Sequence, residues 1–252
     1  PPLIFWWSGI RSDGLLFFFS ALLLTGMSDW LNGTGKLRRS SLLVGLLGIG
    51  ILRNAVLFVW LPSLVCWFAE ARLKTGRFKS MLIVYGAGIL LFFMSEWLNP
   101  KLSLPRMVVN RQQEFLQLKG QTRLALDSLK PNPLSFLNTT PQALQNTFLR
   151  AFLWEAKGPL QLLTALEMML LLLLIIRFVG LGFRNPQHFN SPPELYYPMI
   201  FALCLFLFNG LTIPFPGAIV RYKALGEVFL FIYLTQRKSS GREHIFYLLI
   251  FI

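Results

Sequence analysis

A chain of 252 residues with a net charge of +13 and a mean hydropathy of +0.56 is too apolar for an ordinary soluble domain. Its basic residues stand between apolar runs, which points to membrane orientation and anionic lipid. No clustered basic and aromatic patch speaks for a nucleic-acid partner. Cys66 and Cys204 sit inside apolar segments, with neither metal spacing nor a disulfide framework, and read as buried free thiols.

Residues 4–7 form an apolar, Trp-rich run of interfacial character, followed by the polar turn Ser8 to Gly14. Arg11 and Asp13 of that turn either hold a head group or decorate an interfacial loop. The first span is predicted over 14–27, with an extension to 31. A loop with Lys36, Arg38 and Arg39 follows. The second span is predicted over 42–61, running on past Pro62 to 68. Arg53 falls about 16 Å into it, near the bilayer middle, where a lone guanidinium needs a partner. Glu167 of a later span is the expected one.

After a basic loop over 70–80, a third span is predicted over 81–98, ending beside Glu96. The long polar region 99–148 comes next. Pro105 opens an amphipathic helix, with Val108, Val109, Phe115 and Leu116 on its apolar side. Arg106, Arg111, Gln112, Gln113 and Glu114 are placed on its polar side. Thr140 as N-cap with Pro141 at the first helical position predicts a further helix.

The organising stretch is 148–179. Arg150, Trp154, Glu155 and Lys157 crowd its entrance, Gly158-Pro159 break the backbone, and a fourth span runs over 160–176 with Glu167 inside it. A fifth span over 195–212 starts with the interfacial pair Tyr196 and Tyr197. Ile213 to Gly217 end that helix, because two prolines remove donors. A sixth segment over 218–234 carries Arg221, Tyr222, Lys223 and Glu227 into or near the membrane. The run 244–252 is too short to span. With Pro1 at one end and an apolar run at the other, the chain reads as a fragment of a longer protein.

The fold class is therefore all-α, a polytopic transmembrane helix bundle of about six spans with interfacial amphipathic helices. It makes one transmembrane domain over 1–252, with 99–148 as an extracytoplasmic loop. Six alternating spans put Arg11, the 72–79 loop, Arg177, Arg184 and the 237–242 cluster on one side. That side holds more Lys and Arg in short loops than the other and is taken as cytoplasmic.

On this topology the outer leaflet gathers Arg150, Lys157, Arg221 and Tyr222 as candidate substrate-binding residues. Arginine suits a diphosphate, and Glu155 or Glu227 is the candidate general base on a sugar hydroxyl. The bland alternative is an interfacial charge belt, with Arg53 and Glu167 as a structural pair. No phosphate loop, nucleophile elbow, metal set or cofactor motif is present in the sequence, and His188 and His244 are isolated.

Several local patterns recur together: Ser-Gly-Ile-Arg-x-acidic-Gly (8–14), Arg53-Asn54 with Leu61-Pro62, and Arg-Gln-Gln-Glu-Phe (111–115). Phe-Leu-Arg-x-Phe-x-Trp-Glu (148–155) with Ala-Leu-Glu (165–167) and Gly-Ala-Ile-Val-Arg-Tyr (217–222) complete the set. This pattern resembles bacterial multi-pass inner-membrane proteins associated with envelope polysaccharide assembly, loosely like O-antigen polymerases. Ala151 stands where that group is expected to carry proline. The resemblance implies handling or polymerising of lipid-linked glycans at the outer leaflet, with membrane lipids as partners. Two other classes stay open on the residues alone. One is a non-catalytic subunit of a secretion, respiratory or pigment complex, with other membrane subunits as partners. The other is a transporter.

Overall fold

The computed structural model describes residues 12–33, 37–98, 103–118, 124, 126–149, 158–184 and 191–235. Most of these residues are helical, with no strand among them. In chain order the helices are α1 (Ser12–Asn32), α2 (Leu37–Leu73), α3 (Arg77–Leu98), α4 (Leu104–Gln117) and α5 (Pro133–Leu144). A π-turn (Gln145–Leu149) continues α5, and α6 (Pro159–Arg184), α7 (Pro193–Thr212) and α8 (Pro216–Thr235) follow. Five of these segments are long and apolar enough to cross a membrane: Ser12–Asn32, Arg39–Leu73, Arg77–Leu98, Gln161–Phe183 and Pro193–Thr212. Helix α8 is equally long but carries Arg221, Lys223 and Glu227.

The expected second span is a hairpin. Its backbone leaves the helix at Arg53 (φ −154°, ψ 89°). Up to that point the chain runs antiparallel to α1. Gly26 lies under Leu42, Gly48 lies under Phe19, and a Cβ on Gly45 would sit 2.7 Å from the Leu23 nitrogen. Small residues let the two backbones approach this closely. Arg53 then reaches Asp13, at the start of α1. Past Arg53 the direction reverses. Trp30, near the other end of α1, stacks on Phe68 at 5.3 Å, and Arg72 donates to the Trp30 carbonyl at 2.8 Å. Residues 37–52 thus climb to the Asp13 end and residues 54–73 descend from it. Asn54 Oδ1 accepts from the Ala55 N–H at 2.7 Å and begins the second arm.

This reversal changes the predicted sidedness. Call the end with Asp13 and Arg53 face A and the opposite end face B. The end of α1 and the Arg72–Lys79 link both lie at face B, whereas alternating spans had put them on opposite sides. Arg77 donates to the Ser191 carbonyl at 2.9 Å, which puts the start of α7 at face B too. Helices α6 and α8 run in parallel from face A to face B: Met168 meets Lys223, and Phe178 packs on Tyr233 at 5.1 Å.

The core lies between α1, α2, α7 and α8. Trp60 stacks on Phe201 with ring centroids 3.8 Å apart, and Phe229 closes edge-on at 5.7 Å. Helix α3 sits at the margin, with Ser80 its buried residue. Cys66 and Cys204 are free thiols.

Face A is roofed by α4, α5 and the π-turn. Ser103 caps α4, with Pro105 in the first turn. Gln112, predicted on the polar side of α4, is fully buried instead. Its amide donates to the Leu211 carbonyl at 2.8 Å and the Asp127 carbonyl at 3.0 Å, and its oxygen accepts from Leu129 N at 2.8 Å. The helix predicted to start at Thr140 starts at Pro133. Asn132 is the better cap, accepting from Ser135 N at 2.7 Å, while Thr140 bonds back to the Phe136 carbonyl within the helix. Tyr197, predicted at the interface, is buried and donates to Glu70.

Candidate functional site

Asp13 stands in the first turn of α1 and is 6 % exposed. Its two carboxylate oxygens are divided between two arginines that come from opposite ends of the sequence. Arg53 Nη2 lies 2.5 Å from Oδ1, and Arg221 Nε lies 2.7 Å from Oδ2. Arg53 arrives there because the helix breaks at it, which turns its side chain toward α1 at the tip of the hairpin. Arg221 arrives from the second turn of α8, set by the Pro214-Phe215-Pro216 break.

Tyr222 completes the site. The Arg53 guanidinium carbon lies 4.4 Å from its ring centroid, and Phe115 of α4 meets the other edge of the ring at 6.3 Å. A guanidinium over an aromatic face is held flat, with its edge donors still aimed sideways. Among the described residues, two guanidinium groups meet this one carboxylate. Arg221 keeps 29 % of its side-chain surface and Arg53 17 %, so both side chains are part-exposed at face A. Such a pair grips the oxygens of an anion such as phosphate.

Among the sequence-predicted residues, Arg53, Arg221 and Tyr222 come together. The pair predicted between Arg53 and Glu167 is replaced: Arg53 is bound to Asp13, while Glu167 lies near Lys223 and Glu227 on the far flank of α8. Glu227 is buried against Lys223, away from Arg221 on the turn of the helix. Arg150, Trp154, Glu155 and Lys157 lie outside the described residues, as does Arg11. Asp13 was noted in the sequence as a polar turn residue but not as the hub. The signal that finds it is antiparallel pairing: α1 and residues 37–52 are of similar length, so their outer charges meet.

No protein-family model, curated protein or solved structure matches the chain. The site therefore rests on its own geometry. Four of the recurring local patterns contribute to it: Asp13, Arg53, Phe115 and the Arg221-Tyr222 pair come from segments far apart in the chain.

Proposed function

We propose that the chain is a polytopic protein of a bacterial inner membrane that holds the phosphate of a lipid-linked glycan at Arg53 and Arg221. The observation that carries this is one buried carboxylate shared by two arginines, beside an aromatic ring. In this reading α1, both arms of α2, α3, α6, α7 and α8 cross the bilayer. Face B, with Arg39, Arg72, Lys74, Arg77, Lys79 and Arg177 near helix ends, is the cytoplasmic side. Face A is then the outer leaflet, where the amphipathic α4 lies in the interface.

The chemistry required of the site is modest. The phosphate is held between the Arg53 and Arg221 guanidinium groups, whose planar forks match its oxygens. Asp13 holds both guanidinium groups at the spacing of two oxygens before the ligand arrives, which lowers the ordering cost of binding. Glu227 does not face this site, so the base of any glycosyl transfer is sought elsewhere, with Glu155 as the candidate.

The test is binding of a long-chain isoprenoid phosphate to the detergent-purified protein. Arg53→Lys and Arg221→Lys keep the charge but lose the fork, and each is expected to weaken binding about tenfold, or ~1.4 kcal/mol. Folded variants that bind as tightly as the parent overturn the reading. In cells, the same variants are expected to shorten the glycan polymer.

A further inference from the structure

The sequence places α5 and the π-turn in an extracytoplasmic loop, but the structure sets both ends of that element deep against the spans. Near its start, the Phe136 ring meets Phe92 and Phe93 of α3, each at 5.6 Å. Those two residues stand about 8–9 Å short of the end of α3 at Leu98. At its close, the Phe148 ring meets Phe206 at 5.0 Å. Phe206 stands about 9 Å short of the end of α7 at Thr212. Between these contacts the Ala143 carbonyl lies against Gly210, where a Cβ would find no room. The next turn gives the Thr147 carbonyl to Lys223, two turns into α8. Helix α7 has 20 residues, which reach across about 30 Å, the thickness of a bilayer's hydrocarbon core. With α3 and α7 placed across it, both aromatic contacts fall inside that core.

The residues of the element suit that depth. No charged residue stands between Lys130 and Arg150, in a chain of net charge +13. Thr139 and Ala143 turn inward and are buried. Outward, Leu134, Leu137, Pro141 and Leu144 recur at steps of three and four, which is one face of a helix. All four are exposed, Leu134 by 66 % and Leu137 by 69 %. The hydroxyls of Thr139, Thr140 and Thr147 donate back to the Ser135, Phe136 and Ala143 carbonyls at 2.9, 2.8 and 3.0 Å. They are satisfied without water, as hydrocarbon requires. Helix α4 differs: its Arg106, Arg111 and Glu114 are exposed, which suits the interface. We propose that α5 and the π-turn form a re-entrant element that enters the outer leaflet from face A, with the stripe from Leu134 to Leu144 resting on lipid acyl chains. The proposal rests on the membrane-spanning reading of the bundle given above. The medium at that depth is hydrocarbon, so an outward leucine there meets an acyl chain.

The experiment places a nitroxide at Leu137→Cys or Leu144→Cys in the full chain, reconstituted in phosphatidylcholine vesicles. Labelling of the parent at Cys66 and Cys204 sets the background. Collision with oxygen, which enters hydrocarbon, is compared with collision with a nickel chelate, which stays in water. Leu90→Cys on α3, 64 % exposed, is the lipid reference, and Glu114→Cys on α4 is the water reference. The oxygen-to-nickel ratio at both α5 positions is expected to match Leu90 within about twofold and to exceed Glu114 about fivefold or more. A ratio like that of Glu114, with Leu90 in lipid, overturns the proposal and leaves the spanning reading standing. Low collision with both reagents shows a protein partner on the stripe and overturns it as well. A water-like ratio at Leu90 itself overturns the spanning reading and this proposal with it. Should the labelled variants not fold, a lipid carrying a diazirine on its acyl chain is photolysed with the parent: adducts within 133–149 are expected, and adducts on α3 without any there overturn the proposal.

Discussion

Two ionic knots at opposite ends of the bundle use the same residue types and reach opposite outcomes. At face B, Glu70 takes two bonds from one guanidinium, Arg77 Nε at 3.1 Å and Arg77 Nη2 at 3.0 Å, and a third from the Tyr197 hydroxyl. Arg77 also donates to Ser191 and lies 4.5 Å from the Tyr196 ring centroid. One guanidinium meets one carboxylate there and both carboxylate oxygens accept, so the knot is a latch between α2, α3 and α7. At face A, Asp13 gives one oxygen to each of two arginines. The two knots differ in stoichiometry: one guanidinium to one carboxylate at face B, two guanidinium groups to one carboxylate at face A.

The sharpest way to break this comparison is to remove each carboxylate. Asp13→Ala removes the carboxylate that both guanidinium groups share and is expected to cost about 3–5 kcal/mol in detergent unfolding. Added isoprenoid phosphate is expected to restore part of that loss. Glu70→Gln keeps the shape and creates no like-charge contact, so its expected cost is about 1–3 kcal/mol. A larger loss for Glu70→Gln than for Asp13→Ala would contradict the view that the carboxylate shared by two arginines matters more.

A finer distinction comes from the arginines. Arg221→Lys is expected to lower lipid-phosphate affinity about tenfold while Arg77→Lys leaves it unchanged. Equal effects on binding from both would show that neither end is selective. The smallest expected effect is on the aromatic partners. Tyr222→Leu removes the ring beside Arg53 and should weaken phosphate binding by about 0.5–1 kcal/mol. Tyr197→Phe should leave binding alone and lower stability by about 1 kcal/mol, read from the unfolding midpoint.

Some of the site was legible in the chain itself. Arg53 in an apolar run demanded a partner, and the Pro-rich break before Arg221 announced a helix start near the membrane surface. The chosen partner was the wrong acid. Glu167 looked right as the other ionic side chain inside an apolar run, on spans taken as straight, but the span of Arg53 is not straight. Gln112 was misplaced for a related reason: periodicity reads it as polar, whereas its three hydrogen bonds to Leu211, Asp127 and Leu129 depend on segments that only folding brings together.

Composition and run length by themselves determined that this is an all-helical chain with several membrane-length apolar helices, since burying an apolar run and satisfying its backbone are local requirements. Direction was decided by the tertiary structure. Hydropathy records how long an apolar run is but not whether it turns back midway. The turn at Arg53 is stabilised by Asp13, forty residues earlier, and Asp13 is held in turn by Arg221, far down the chain. Which face carries the arginines, and which carboxylate each one meets, are properties of that long-range pairing.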